Sequence, residues 1–137
     1  MSRSGYIEDI DQWALIKYRG QVASAIRGKR GQAFFRELIA ALDVMPVKEL
    51  VSEDLVTDDG NVCALGALGQ VKGLDLKAID PYDHEALGAV FNIAPQLAAE
   101  VMFENDEYWQ DDPAGRWQRM RRWAEAQVKA QQAEGEG

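Results

Sequence analysis

Residues 31–42 read GQAFFRELIAAL, and this stretch carries the clearest helical pattern of the chain. Phe34, Leu38 and Leu42 recur every four residues, so they lie on one row of a helix with further apolar side chains beside them. Pro46 closes the region, because the residue before a proline is disfavoured in helical geometry. The stretch predicts an amphipathic helix that buries one face in a helical core.

Further helices are predicted on both sides of this stretch. Residues 10–27 have partial helical spacing, and Gly28 ends them. The run CALGALGQV at 63–71 is apolar and rich in small residues, which let another backbone approach closely, so it predicts a buried helix. Three more helices are predicted to begin at an aspartate-proline pair or a proline: Asp80-Pro81, Pro95 and Asp112-Pro113.

These signals agree on a mainly α-helical fold, a compact bundle of about six helices. We expect one globular domain over residues 1–130 and a frayed tail over residues 131–137. The least helical part precedes the CALGALGQV run. There, a turn at Asp58-Asp59-Gly60-Asn61 between short apolar runs suits a β-hairpin around residues 50–64, with an acidic loop as the alternative.

Charge is sorted into blocks along the chain. Residues 1–40 carry seven Lys/Arg against four Asp/Glu, residues 41–112 carry three against sixteen, and residues 113–137 carry five against three. The net charges of these blocks are +3, −13 and +2, within a total of −8. The blocks either neutralise one another in the fold or present separate faces to partners.

Composition limits the class of protein. The apolar and charged fractions are those of an ordinary globular domain, and a sequence pI near 4.6 argues against a general nucleic-acid binder. The single cysteine rules out an internal disulfide and fits a reducing compartment. The first residues have no apolar signal core, and no stretch approaches the roughly 20 apolar residues of a membrane span. We therefore expect a cytoplasmic protein without a membrane partner.

No catalytic, metal or cofactor signature stands out. Cys63 and His84 are the only residues of their kinds, so they form the one possible thiol–imidazole pair. The alternative is a buried cysteine and an exposed histidine in the first turn of a helix. Asp58, Asp59 and Asn61 lack the spacing of a calcium loop, and one Cys with one His does not make a zinc site. The sequence therefore predicts no metal and no cofactor.

Two segments are candidate binding sites. The first runs from Phe103 to Asp112, follows a predicted helix, and mixes acidic with aromatic residues, as interface hot spots do. Its candidate partner-binding residues are Glu104, Asp106, Glu107, Trp109, Asp111 and Asp112. The alternative is that these residues cap helices and that the tryptophan packs on the core.

The second segment is basic and flanked by glycines, and it leads into the helix at 31–42. Arg27, Lys29 and Arg30 are its candidate anion-binding residues, because an anion is favoured at a helix N-terminus. The alternative is a turn between helices whose charges pair with the acidic middle block.

Several runs together resemble a group of small uncharacterised phage and prophage proteins. They are MSRSGY at 1–6, AIRGKRGQAF at 25–34, CALGA at 63–67, ENDE at 104–107 and RWQRMR at 116–121, with GKRGQAF and CALGA the most specific. The chain is also loosely similar to bacterial domains of unknown function that share a CALGA-type helix and a later Asn-Asp turn. The resemblance implies a phage-associated cytoplasmic protein and supplies no catalytic residues. Small phage proteins of this kind often act by binding, some of them as anti-CRISPR-like inhibitors of host defence.

Three hypotheses of function follow. The first is a non-enzymatic protein that docks its acidic surface on a host or phage protein. The second is a nucleic-acid-binding module that uses the basic segment 17–36. The third is a small enzyme built on Cys63 or on clustered carboxylates. A homodimer is a further expectation, because Trp117, Met120 and Trp123 on the last helix suit either the core or a symmetric interface.

Overall fold

The computed structural model describes the backbone of residues 4–107 and 111–136 and the side chains of residues 12–107 and 111–131. The described backbone contains six α-helices, which confirms the predicted mainly α-helical fold. In chain order they are α1 (Ser4–Arg27), α2 (Lys29–Asp43), α3 (Ala64–Lys72), α4 (His84–Phe91), α5 (Pro95–Asp106) and α6 (Pro113–Glu136).

Helix α2 lies at the centre of the core, as its apolar row predicts. It packs against α1, α3 and α6, while α5 packs against α1, α3, α4 and α6. Phe34, Leu38 and Leu42 are all buried. On α6, the ring of Trp123 lies edge-on to Phe35 at 5.3 Å between centroids.

The aromatic residues of α6 pack inside the chain. Trp117 donates from Nε1 to the carbonyl oxygen of Leu42 at 3.1 Å, and Met120 is fully buried. Trp123 packs against the core through Phe35. These contacts correspond to the core alternative for this stripe, with Trp117 and Trp123 half-buried; the homodimer stays a prediction.

Helix α3 packs tightly through its small residues. A Cβ added to Gly66 would lie 2.0 Å from the carbonyl oxygen of Leu55 and 2.9 Å from Cβ of Val62. Only a glycine lets the helix approach the preceding segment this closely. The close backbone approach predicted for this run is present in the structure.

The segment before α3 contains less β-structure than a hairpin. Val56 and Val62 form one isolated antiparallel bridge, and no strand occurs in the described backbone. Thr57 donates its N–H to the carbonyl of Asn61 at 2.8 Å, around a turn in which Gly60 has a φ of 86°. The expected turn with glycine at positive φ forms, but the hairpin around residues 50–64 is limited to a single bridge.

Two of the predicted helix starts are confirmed and one is wrong. Pro95 begins α5 and Pro113 begins α6. Helix α4 begins at His84 rather than at Pro81, with Asp83 as the N-cap that accepts from the Ala86 N–H at 3.1 Å. The side chain of Asp80 instead accepts from the N–H of Tyr82 at 2.8 Å and closes a turn.

Helices α4 and α5 meet at a sharp corner. Asn92 ends α4 in the left-handed conformation, with a φ of 57°. In the described part of the chain no single helix has the length and apolarity to cross a membrane; α4 and α5 taken together have both, with a bend of 105° between them.

Helix α6 continues beyond the expected end of the globular domain. Its backbone is helical through Glu136. The domain boundary expected after residue 130 therefore falls within α6 and not at its end. The fraying expected over residues 131–137 stays a prediction.

Candidate functional site

Phe103 is the large apolar side chain of α5 that departs from the apolar pattern of the helix. The buried positions of α5 recur at helical spacing along one face and are Leu97, Ala98, Val101, Met102 and Asn105. Phe103 lies off that face, and 52% of its surface is exposed. An exposed aromatic ring is a candidate contact for another molecule, because covering it is favourable.

Two open grooves meet at Phe103. The first has a volume of about 390 Å³ and is called the acidic groove; besides shared residues it is lined by Glu53, Tyr82, Met102, Asp106 and Glu107. The second has a volume of about 450 Å³ and is called the mixed groove; its own residues are Leu15, Tyr18, Arg19 and Glu100. Both grooves are lined by His84, Ala99 and Phe103, and the two together are called the Phe103 face.

The acidic groove concentrates negative charge. Among the described residues, no Lys or Arg forms a salt bridge with Glu53, Asp106 or Glu107. The Oδ1 atom of Asp106 accepts from the Glu53 N–H at 2.9 Å, which holds Glu53 in the left-handed conformation at a φ of 69°. The Asp106 carboxylate therefore fixes one wall of the groove and contributes charge to it.

The mixed groove carries charges of both signs. The hydroxyl of Tyr18 donates to the carbonyl oxygen of Gln96 at 3.5 Å. Burial raises the pKa of Tyr18, and the Glu100 carboxylate acts in the same direction. Arg19 forms no salt bridge with any described residue. The mixed groove therefore holds one cation and one carboxylate that form no salt bridge with each other or with another described residue.

The structure separates the acidic residues that the sequence grouped together. Asp106 and Glu107 line the acidic groove. Glu104 and Asp111 instead form salt bridges with Arg119, at 3.7 Å and 2.5 Å. Burial raises the pKa of Glu104, with Glu100 acting in the same direction and Arg119 in the opposite one.

The remaining two candidates of that segment are Asp112 and Trp109. The Oδ1 atom of Asp112 accepts from the Gly115 N–H at 2.6 Å, so Asp112 caps the start of α6. Trp109 lies outside the described residues. The six residues therefore do not form one acidic surface: two line a groove, two pair with an arginine, one caps a helix, and one is not described.

Asn105 is a structural link between the ENDE and CALGA runs. It is 1% exposed. Its Oδ1 accepts from the N–H of Ala64 at 3.1 Å, and its Nδ2 donates to Val51 O at 2.9 Å and to Asp106 Oδ1 at 2.7 Å. The two motifs meet in space and organise the start of α3.

Two arginines of α6 complete this link. Arg116, 5% exposed, donates to three carbonyl oxygens: Asn105 at 3.1 Å, Leu50 at 3.1 Å and Asp111 at 3.3 Å. Arg119 donates to the carbonyl of Glu104 at 2.6 Å. Both cations lie at the C-terminal end of α5, where the helix dipole favours positive charge. We call Asn105, Arg116 and Arg119 the polar hub.

The candidate anion-binding residues are exposed. Lys29 and Arg30 line a cleft of about 230 Å³ at the start of α2, where Gly28 makes no side-chain cap, and Arg30 donates to Asn92 Oδ1 at 3.1 Å. Arg27 is the last residue of α1. In the described part of the chain, none of the three forms a salt bridge with the acidic middle block.

The basic segment 17–36 is divided between surfaces. Lys17 lines a groove that shares Ser24, Ala25 and Ala94 with the cleft at the start of α2. Arg19 lines the mixed groove instead.

The acidic middle block pairs with the C-terminal basic block. Besides the pairs of Arg119, Arg121 binds Asp43 through two contacts, at 2.6 Å and 3.0 Å. The hydrogen bond from Arg121 lowers the pKa of Asp43. Part of the negative block is thus neutralised inside the fold, whereas the carboxylates of the acidic groove form no salt bridge with a described residue.

Cys63 has the properties of a structural residue. Its side chain is fully buried and its Sγ accepts from the Gly66 N–H at 3.4 Å, as the N-cap of α3. Burial raises the pKa of the thiol to about 12. His84 is half-buried and lines the surface grooves. A nucleophilic thiolate at Cys63 therefore finds no support in this geometry.

The described residues contain no group of three or more His, Cys, Asp or Glu side chains arranged to hold a metal ion.

Sequence reasoning did not single out Tyr82, Glu53, Leu15 or the prominence of Phe103. One signal was available, because Phe103 is out of phase with the apolar face of α5. The other residues come from α1, the segment before α3 and the turn before α4, and only the tertiary fold brings them together.

Comparison with known proteins finds no matching family model, no similar curated protein and no similar solved structure.

Proposed function

We propose that this chain is a non-enzymatic, phage-associated binding protein that acts through protein–protein contacts at the Phe103 face. The observation that carries the proposal is a half-exposed aromatic ring between two grooves, beside three carboxylates without a basic partner among the described residues. Interfaces commonly combine a large aromatic anchor with surrounding polar groups.

The charge of the acidic groove supports a basic protein surface as the partner. Opposite charges raise the association rate and select the partner, and their effect weakens with salt. Glu53, Asp106 and Glu107 supply this charge in the proposal, with Phe103 and Tyr82 as apolar anchors. Glu104 and Asp111 pair with Arg119 and Asp112 caps α6, so the proposal gives them no part in attracting the partner.

In a cytoplasmic phage protein, such a face fits inhibition of a host defence system. An acidic face that covers a basic nucleic-acid groove would compete with the nucleic acid, in the manner of an anti-CRISPR protein. The resemblance to small phage proteins and the carboxylates of the acidic groove, which no described Lys or Arg pairs, support this form of the proposal. The chain itself does not name the host or phage partner.

The first test is a pull-down from bacterial host lysate with tagged wild-type protein and two variants. Phe103→Ser alters the Phe103 face, and Val71→Ser is the matched control, because Val71 is an exposed apolar residue on another helix. We expect a protein that is retained by the wild type and the control, lost from Phe103→Ser, and weakened by washing at high salt. Equal capture by both variants would contradict the proposed face.

Nucleic-acid binding is the second candidate, because one observation favours it. Lys17, Lys29 and Arg30 line two adjoining grooves next to Ala94. An electrophoretic mobility shift at low salt should then show DNA or RNA binding that is lost in Lys29→Ala/Arg30→Ala and retained in Phe103→Ser. Nuclease treatment of the pull-down separates this route from direct protein binding.

A further inference from the structure

We infer that the Phe103 face takes one continuous segment of a partner protein, with its Lys or Arg side chains in the acidic groove and its apolar side chain on Phe103. The inference rests on the proposed function and adds the form and charge order of the partner. It also states that the mixed groove does not receive a cation.

The two grooves are continuous. They share His84, Ala99 and Phe103, so a segment that enters one groove passes directly to the other across the exposed ring. Volumes of about 390 and 450 Å³ are at the small end of ligand pockets. Such volumes fit a few side chains from one segment better than the broad surface of a folded domain.

Charge gives the segment a direction. The acidic groove has three carboxylates that no described Lys or Arg neutralises. At the other end, the Arg19 guanidinium and the Glu100 carboxylate line the same groove, so their opposite charges offset each other there. A cation is therefore attracted to the first groove and gains no net electrostatic attraction in the second.

The aromatic pair at the acidic groove adds to this preference. Tyr82 is 64% exposed and Phe103 is 52% exposed, and both line the same groove. A Lys or Arg side chain can lay its aliphatic stem along such rings and bring its charge to the carboxylates. A nucleic acid is disfavoured at this site, because its phosphates would face the same three carboxylates.

The test is selection of a displayed library of random 12-residue peptides on the wild-type protein. Enriched peptides should carry Lys or Arg at a fixed spacing from an aromatic or aliphatic residue. A synthetic peptide of the consensus should bind Phe103→Ser about tenfold more weakly than wild type, and bind the Val71→Ser control unchanged. Circular dichroism melting of each variant checks that it is folded.

Charge reversal tests the direction of the segment. Selection on Glu53→Lys/Glu107→Lys should enrich acidic peptides in place of basic ones. Selection on Arg19→Glu should admit a second cation at the other end of the peptide. Enrichment that ignores charge, or a consensus that binds Phe103→Ser as well as wild type, would overturn the inference.

The outcomes also separate this inference from the proposed function. If the lysate partner depends on Phe103 but no peptide is enriched, the protein-binding function stands and the single-segment form is wrong. If neither the lysate partner nor a peptide depends on Phe103, both are wrong.

Discussion

The last turn of α5 carries two residues in opposite surroundings: one is buried and hydrogen-bonded, and the other is exposed and apolar. Asn105 is buried, and its side-chain amide accepts from the N–H of Ala64 and donates to the carbonyl oxygen of Val51. Phe103, two residues earlier, is half-exposed between two grooves. Two residues along a helix are separated by roughly 200°, so neighbours in sequence serve opposite sides of the molecule.

This difference teaches how to interpret a charged segment. Residues 104–112 contain five acidic residues and no basic one, but the fold uses some of these carboxylates for internal pairing and leaves others at the surface. The polar hub should therefore govern stability, and the Phe103 face should govern binding. Substitutions in each region test whether the two properties separate.

The largest expected effect is at Arg116. In Arg116→Met the aliphatic volume is largely kept, but the carbonyl oxygens of Leu50 and Asp111 lose the Arg116 donor and that of Asn105 keeps only the longer contact to Arg119. Unpaired buried polar groups are costly, so we expect the free energy of unfolding to fall by about 3 kcal/mol or more. Urea denaturation measures this, with Arg122→Met, an exposed position of α6, as the control that changes little. If the two variants were equally stable, the polar hub would not stabilise the fold as proposed.

Gly66 and Gly20 provide the next comparison, because the first packs against another segment and the second lies on an open surface. Gly66→Ala places a Cβ 2.0 Å from the Leu55 carbonyl oxygen, whereas a Cβ at Gly20 meets no atom within 4 Å. We expect Gly66→Ala to lower the free energy of unfolding by about 3 kcal/mol. Gly20→Ala should instead raise it by about 0.5–1 kcal/mol, because alanine favours the helix. Thermal melting of the two variants checks the opposite signs.

The burial of Cys63 predicts that the free energy of unfolding depends on pH. Burial raises the pKa of the thiol from 9.0 in the unfolded chain to about 12 in the folded chain, so the unfolded chain loses the thiol proton first as pH rises. The contribution of the buried thiol to the free energy of unfolding is complete below pH 9. It decreases by about 1.4 kcal/mol per pH unit between the two pKa values. Urea denaturation from pH 8 to pH 10.5 should show a steeper loss of stability in wild type than in Cys63→Ala. Parallel curves would mean that the thiol titrates equally in both states.

Local patterns predicted the parts of the fold that local physics controls. The row of Phe34, Leu38 and Leu42 predicted the central helix, and the two prolines at 95 and 113 predicted helix starts, because each signal acts within one turn. The predicted start of α4 was wrong because the side chains of Asp80 and Asp83 are both able to cap a helix. Only the structure shows that Asp80 closes a turn and Asp83 caps the helix.

The candidate site was less predictable because it depends on tertiary contacts. The sequence placed residues 103–112 after a helix, whereas α5 extends through Asp106 and directs Phe103 and Asn105 to different surroundings. Glu53 and Leu15 reach the Phe103 face from distant segments, and no periodic pattern brings them together. The phase of Phe103 in α5 was the available local signal.

The smallest expected effect on stability is at the Phe103 face, and it is the sharpest test of the comparison. Glu107 is exposed at the rim of the acidic groove, so Glu107→Lys should change the free energy of unfolding by no more than about 0.5 kcal/mol. The same substitution should reduce capture of a basic partner, because it reverses one of the three charges that attract it. Urea denaturation and the salt-dependent pull-down measure the two properties on one variant. A loss of stability comparable to that of Arg116→Met would show that the face and the hub are one structural unit, whereas unchanged stability with weakened capture separates them.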